Sequence, residues 1–247
     1  MNPGRLAVMI EMLAFDGDDT LWHNESIFSV TQERFRDLMA PYLDDGSDIA
    51  ELLYATERTN LELYGYGIKS FTLSMIETAI EVSGGRVTPG EIGVILDGAK
   101  QMLAHPVELL DGAASAVEAV SATHPVMLIT KGDLFDQESK LARSGLGDRF
   151  AAVEIVSTKD RATYERILDR HEVAPDRFLM VGNSLRSDIL PVLEIGGGAV
   201  HVPYDLIWQH EQLDDEDVVR GHPRFRHLDS LAGLPDLLAE LDEGSTR

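Results

Sequence analysis

Five short apolar runs, each closed by a polar turn, limit what this chain can fold into. They are Met12 to Phe15, Val126 to Ile129, Ala151 to Val156, Phe178 to Val181 and Ala199 to Val202. Runs of this length ended by a turn signal read as buried strands. From Pro106 onward they alternate with helical stretches. The first opens at Asp111 or Gly112 and runs through Ala122, and the second ends near Ser144, stopped by Gly145. Two more run from Arg161 to His171 and from Ser187-Asp188 to Ile195. Strands spaced by helices in this way predict a parallel sheet wound on both faces. Glu11 sits badly inside a buried strand, so the first strand is expected to start between Met9 and Leu13, and Met9 or Met12 is an alternative start residue.

Between the first strand and Pro106 the texture is helical. Ile27, Val30, Phe35, Leu38 and Met39 give one apolar face, and Ile49, Leu52, Leu53 and Leu61 a second. Ile68 to Val82 and Ile92 to Leu103 give two more. Tyr64-Gly65-Tyr66-Gly67-Ile68-Lys69 reads as a loop by its glycines, and Thr88-Pro89-Gly90-Glu91 as a helix start. The expectation is a bundle of about four helices over 23–104, inserted into an α/β domain formed by 1–22 and 105–247. Beyond Pro203 the pattern loosens. Asp214-Asp215-Glu216-Asp217 reads as a solvated charge run, Phe225 to Leu228 as an edge strand, and Leu231 to Leu241 as a helix.

The acidic turn after the first strand carries the chemistry. Asp16-Gly17-Asp18-Asp19-Thr20 sets three carboxylates within four residues. Like charges this close repel unless a cation sits among them, and hard oxygen ligands suit Mg²⁺. The loops at the carboxyl ends of the strands of a doubly wound sheet share one edge, where ligands bind. At that edge the sequence places Asp16 and Asp18, then Thr130, then Lys159, then Asn183 and Asp188. Each alone has a structural explanation: Thr130 as a cap, Lys159 as a surface lysine, Asp188 at a helix N-terminus. Together at one edge they read as a site.

This order of residues resembles the haloacid dehalogenase (HAD) superfamily over residues of about 12 to 202. The most specific part is the Asp16-Gly17-Asp18-Asp19-Thr20 turn directly after an apolar strand. The resemblance implies a Rossmann-like core with a helical cap inserted after the first motif. It implies a phosphatase-like hydrolase with Asp16 as nucleophile and Asp18 as general acid and base. Thr130, Lys131 (through its amide) and Lys159 would hold phosphoryl oxygens. Mg²⁺ would be bound by Asp16, the main-chain carbonyl of Asp18, and Asp188, with Asn183 standing where many phosphatases have a metal-binding Asp. Dehalogenase members lack an Asp two residues after the nucleophile, so Asp18 favours phosphate chemistry. His23, Tyr66 and Lys69 are candidates for substrate selection, with Tyr64 beside them. A cation at Lys69 would suit a second acidic group on the substrate, while Trp22 is expected to pack against the cap.

Composition restricts the partners. Lys and Arg number 21 against 43 Asp and Glu, a net charge of −22. That sign argues against a nucleic-acid or anionic-membrane surface and leaves a small phosphorylated metabolite as the expected partner. With no cysteine, disulfides and thiolate chemistry are excluded. Leu6 to Phe15 has neither the length nor the cleavage pattern of a signal peptide, so the cytoplasm is the expected location. Rival readings are a phosphomutase on the same scaffold, a HAD-like member that binds without turnover, and a phospho-receiver module, which would place its acceptor Asp after a later strand. A calcium-binding loop fails, because Ile27 stands where such a loop needs Glu.

Overall fold

The computed structural model describes residues 9–206, 211 and 216–245. Six strands form one parallel sheet: β1 (Met12–Phe15), β2 (Val126–Lys131), β3 (Ala152–Val156), β4 (Phe178–Gly182), β5 (Gly198–His201) and β6 (Phe225–His227), in the order β3-β2-β1-β4-β5-β6. The chain steps outward from β1 through β2 to β3, then returns to the other side of β1. In a doubly wound sheet this reversal leaves a crevice beyond the strand ends. The register aligns those ends: Phe15 pairs with Leu128 on one side and Val181 on the other.

Alternate strand residues face opposite layers. Leu13, Phe15, Val126, Leu128, Leu179 and Val181 pack with α5 (Ala113–Ser121) and α10 (Leu234–Ser245). Ala14, Met127, Ile129, Phe178 and Met180 pack with α7 (Arg161–Arg170) and α8 (Leu190–Glu194). Both faces of β1, β2 and β4 are therefore covered, which is why their sequences are nearly continuous apolar runs.

The insertion after β1 holds four helices: α1 (Glu25–Met39), α2 (Ile49–Tyr64), α3 (Ile68–Val82) and α4 (Pro89–Ala104). They bury their own cluster, including Phe35, Met39, Leu53, Phe71 and Met75. The Thr88 start is a full capping box with Glu91. The entering and leaving segments lie side by side: His23 N–H donates to Glu108 O and Leu110 N–H to Leu21 O. The cap thus rises from the core on two adjacent strands of chain.

Several elements differ in detail from expectation. The helix expected from Ser187 begins earlier, with a wide π-type turn over Leu185–Ile189 that continues into α8. Ser184 starts it, its side chain accepting from Ser187 N–H while its own N–H donates to Asp188 Oδ2. Strand β2 runs two residues further, so Thr130 and Lys131 are strand residues. Glu11 lies just outside β1 and pairs with Arg177. Leu231–Gly233 is a 3₁₀ turn preceding α10. Of the charge run, Asp214 and Asp215 lie outside the described residues, as do residues 1–8 of the N-terminal stretch. Glu216 pairs with Arg220 in α9 (Asp217–Arg220). No described helix is long and apolar enough to cross a membrane.

Candidate active site

The loop after β1 is fixed from beneath. Asp16 N–H donates to Val181 O at 2.9 Å, and Leu21 N–H to Gly17 O at 2.8 Å. A Cβ at Gly17 would stand 2.7 Å from Cζ2 of Trp22, so the turn closes this tightly only with glycine. Thr20 ties the loop to β4. Its Oγ1 accepts from Asn183 N–H and lies 3.3 Å from Asp16 Oδ2 and 3.2 Å from Asn183 Oδ1, with one hydroxyl proton for the two. Asp19 has a φ of 61°, a conformation Asp tolerates better than most residues. Its carboxylate accepts from the amides of Asn24 and Glu25, capping α1. The turn after β1 and the first cap helix therefore share one anchor.

Lys159, from the loop after β3, reaches the loop after β1. Its ammonium pairs with Asp16 Oδ1 and lies 2.7 Å from Asp188 Oδ1. All three side chains are buried. Asp188 lies flat against the end of β4, where a Cβ at Gly182 would be 2.3 Å from its Oδ2. One ammonium faces two carboxylates. Lys159 is held above its ordinary value, because its two acidic partners outweigh the burial that would lower it. Burial pushes Asp16 up to about 7, opposed by Lys159 and reinforced by Asp188 and Asp18. The surplus negative charge at this point is what an added cation would relieve.

Thr130 is fully buried at the end of β2, its hydroxyl close beside Gly17. The Lys131 ammonium donates to Ser187 Oγ at 2.8 Å, pairs with Glu211, and stands 4.4 Å from the centre of the Tyr66 ring. Asp18 is held by three donors: Trp22 Nε1 at 2.6 Å, Gln137 Nε2 at 2.8 Å, and Lys140 Nζ at 3.0 and 3.1 Å. Lys140 also donates to Asn24 Oδ1 at 2.8 Å and pairs with Asp136.

One cleft between sheet edge and cap is lined by Asp16, Asp18, Thr130, Lys131, Lys159, Asn183 and Asp188, and by Tyr66 from the cap. His23 and Lys69 do not line it. His23 shares a hydrogen bond with Tyr204 Oη at 2.7 Å and faces a smaller crevice. Lys69 is exposed and pairs with Asp133 at 3.4 Å, because the turn before α3 carries it to the outer rim. Tyr64 is likewise exposed. Trp22 is buried with Leu13, Phe15 and α5 and also borders the smaller crevice with Ile27, Phe28 and Ile68 of the cap, its indole N–H donating to Asp18.

Gln137, Lys140 and Asp136, carried on α6 (Leu134–Ser144), were not foreseen from the sequence. Its buried residues are Asp136, Gln137 and Lys140, while Leu134 and Phe135 are exposed. The inward polar face of α6 is satisfied by Asp18, which Gln137 and Lys140 both reach, and by the Lys140–Asp136 pair.

For a metal, Asp16, Asp188 and Asn183 bring side-chain oxygens to one part of the cleft, Asp16 and Asp188 joined through Lys159 and Asp16 and Asn183 through Thr20. Among the described residues no three His, Asp or Glu side chains form a ready cage. This donor set fits Mg²⁺, which keeps several waters and needs few protein carboxylates.

The family model described as haloacid dehalogenase-like hydrolase matches residues 10–196. A haloacid dehalogenase-like family hydrolase from Xanthomonas campestris is 42% identical, with a TM-score of 0.84, over 96% of this chain and 94% of that one. Two further structures share the fold alone. A 2-haloacid dehalogenase from Pseudomonas syringae pv. Tomato is 21% identical at TM-score 0.61, covering 94% of this chain and 99% of its own. A magnesium-bound HAD-hydrolase from Bacillus subtilis is 13% identical at TM-score 0.65, covering 93% and 99%. Among curated proteins none matches. With the family model spanning most of the chain and the strand-end residues gathered in one cleft, the protein belongs to the haloacid dehalogenase-like hydrolase family.

Proposed function

We propose that this hydrolase is a Mg²⁺-dependent phosphatase acting on a small phosphorylated metabolite through an aspartyl-phosphate on Asp16. The observation that carries this reading is Asp18, two residues from Asp16 in the same cleft and held by Trp22, Gln137 and Lys140. A halide leaves a carbon centre without needing a proton, whereas the alkoxide of a phosphate ester needs one. A placed acid beside the nucleophile therefore suits phosphate esters.

Asp16 Oδ attacks phosphorus, a new O–P bond forms, and the ester O–P bond breaks as Asp18 gives its proton to the leaving oxygen. Asp18 then takes a proton from water, which attacks phosphorus and breaks the bond to Asp16, releasing inorganic phosphate. Lys159, the Thr130 hydroxyl and the Lys131 amide hold the phosphoryl oxygens as charge shifts among them. Mg²⁺, held by Asp16, Asp188, Asn183 and the Asp18 carbonyl, would neutralise the phosphoryl charge; the magnesium-bound Bacillus subtilis relative supports this choice.

The test is phosphate release from a panel of phosphorylated metabolites with Mg²⁺, run beside Asp16→Asn and beside 2-chloropropionate as a halide-release control. Wild type is expected to hydrolyse at least one ester, with the variant reduced by at least about 10³-fold and no halide released. Halide release, silence on every ester, or an Asp16→Asn variant equal to wild type would overturn the reading.

A further inference from the structure

Eight carboxylates and three lysines line the cleft among the described residues. Lys159 is matched by Asp16 and Asp188, and Lys140 by Asp18 and Asp136. Lys131 is matched differently. Its partner Glu211 is the one described carboxylate of the cleft that comes from beyond β5. Both oxygens of Glu211 are engaged: Lys131 Nζ takes Oε1, while Ser184 Oγ and Ser187 Oγ donate to Oε2 at 2.5 Å each. The two side chains of the ion pair are only 15% and 14% exposed.

The receiving groups stand without Glu211. Lys131 ends β2, and Ser184 and Ser187 belong to the turn after β4, so all three are set by the sheet edge. Lys131 and Ser187 bond each other directly at 2.8 Å. The Tyr66 ring gives the ammonium a further support from the cap. Three donors arranged on both oxygens of one planar carboxylate form a receptor for that group. Glu211 is held below its ordinary value there, since Lys131 and the two hydroxyls outweigh the burial that would raise it.

We propose that Lys131, Ser184 and Ser187 form a carboxylate subsite, filled by Glu211 in the free protein and by a carboxylate of the substrate in the complex. The substrate class is then a phosphorylated carboxylic acid, a conclusion that rests on the phosphatase reading above. The exchange suits a cleft with surplus negative charge. One carboxylate replaces another on Lys131, so the ligand's second anion adds nothing to the local charge. A ligand binding in competition with Glu211 also binds more weakly than its contacts allow, in proportion to the fraction of protein with the subsite vacated.

Calorimetric binding to the Asp16→Asn variant with Mg²⁺ tests this without turnover. The probes are two matched pairs: 3-phosphoglycerate against glycerol 3-phosphate, and phosphoglycolate against ethyl phosphate. At least one acid is expected to bind about tenfold or more tightly than its neutral counterpart. Adding Lys131→Met should bring that pair within about twofold, and adding Glu211→Gln should widen the gap by a further factor of about five. Equal affinities in both pairs, no binding of any probe, or a preference that survives Lys131→Met would overturn the subsite. Should Lys131→Met fail to fold, the Ser184→Ala, Ser187→Ala pair must narrow the same gap. Phosphate release by wild type separates the two claims. Release from both members of each pair without a binding gap leaves the phosphatase and removes the subsite. A binding gap without release does the reverse.

Discussion

On the sheet side of the cleft, the most deeply buried charges are paired from one strand end to another. Lys159 after β3 meets Asp16 after β1 and Asp188 after β4, and Thr20 links the first loop to Asn183. On the cap side the wall is Phe28, Leu61 and Phe71 with Glu25 and Glu57, all carried on helix faces. The sheet wall is cross-braced and polar, and its geometry follows from parallel register. The cap wall is held by apolar packing, which tolerates substitution as long as volume is kept. On the proposed reading, bond-making falls to the sheet wall, and selection is shared between the cap and the carboxylate subsite at the sheet edge. It also identifies the joints between them: Asp19 on the amides of α1, Lys140 on Asn24, and Lys131 beneath Tyr66.

The largest effect short of losing the nucleophile should come from the sheet wall. Asp18→Asn is expected to lower kcat by about 10²–10⁴-fold on alkyl phosphates. The loss should shrink on p-nitrophenyl phosphate, whose leaving group needs no proton. An equal loss on both ester types would mean that Asp18 acts in what the two share, activation of the attacking water or positioning, rather than in protonating the leaving oxygen. Lys140 sits at a joint, so its effect should be smaller and of another kind. Lys140→Met is expected to cost up to about 10²-fold in kcat through misplacement of Asp18. KM should change little, and Lys140→Arg should recover part of the rate. A pure rise in KM would move Lys140 from the reacting end to the binding end.

The same contrast explains what the sequence revealed. Asp16, Thr130, Lys159 and Asp188 were legible because a strand end fixes where a residue sits, and a parallel sheet brings all such ends to one edge. Lys140 and Gln137 were not, because helix α6 turns a polar face inward and this depends on Asp18 being there to receive it. Lys69 misled for a related reason. Its position in the glycine-flanked loop places it near the cap edge, but in the first turn of α3 it is the neighbouring Ser70 that lines the cleft, while Lys69 pairs with Asp133. Tyr66, three residues earlier, does reach the cleft. Glu211 carried no signal at all, since its contacts join residues far apart in sequence through a segment without strand or helix pattern.

The cap wall offers a stability test that the sheet wall does not. Burial pushes Glu25 up from 4.5 to about 8, with Asp19, Glu57 and Asp18 adding repulsion. The folded protein therefore binds more protons than the unfolded chain between those values. Stability from this group is full below the ordinary carboxylate range and is lost as pH rises through about 8. Glu25→Gln removes that loss. Because Glu25 is partly exposed, screening should reduce the gain to about 1–2 kcal/mol at pH 9, with none at pH 5. Urea unfolding at the two pH values measures it. A gain of the same size at both would mean that the benefit comes from packing and not from titration.

The smallest expected effect lies farthest from the chemistry. Thr88 caps α4: its Oγ1 accepts from Glu91 N–H at 3.2 Å, and the Glu91 carboxylate accepts from Thr88 N–H at 2.7 Å and from Tyr42 Oη. Thr88→Ala removes half of this exposed box and should cost about 1 kcal/mol. If the cap is braced only by its own apolar cluster, the loss stays there and kcat remains within about twofold of wild type. A larger fall in kcat, at a temperature where the variant is fully folded, would mean that α4 transmits strain through the paired linker at His23 and Leu110 to the turn holding Asp18. The two walls would then be one mechanical unit, and the division between bond-making and selection would have to be redrawn along that linker.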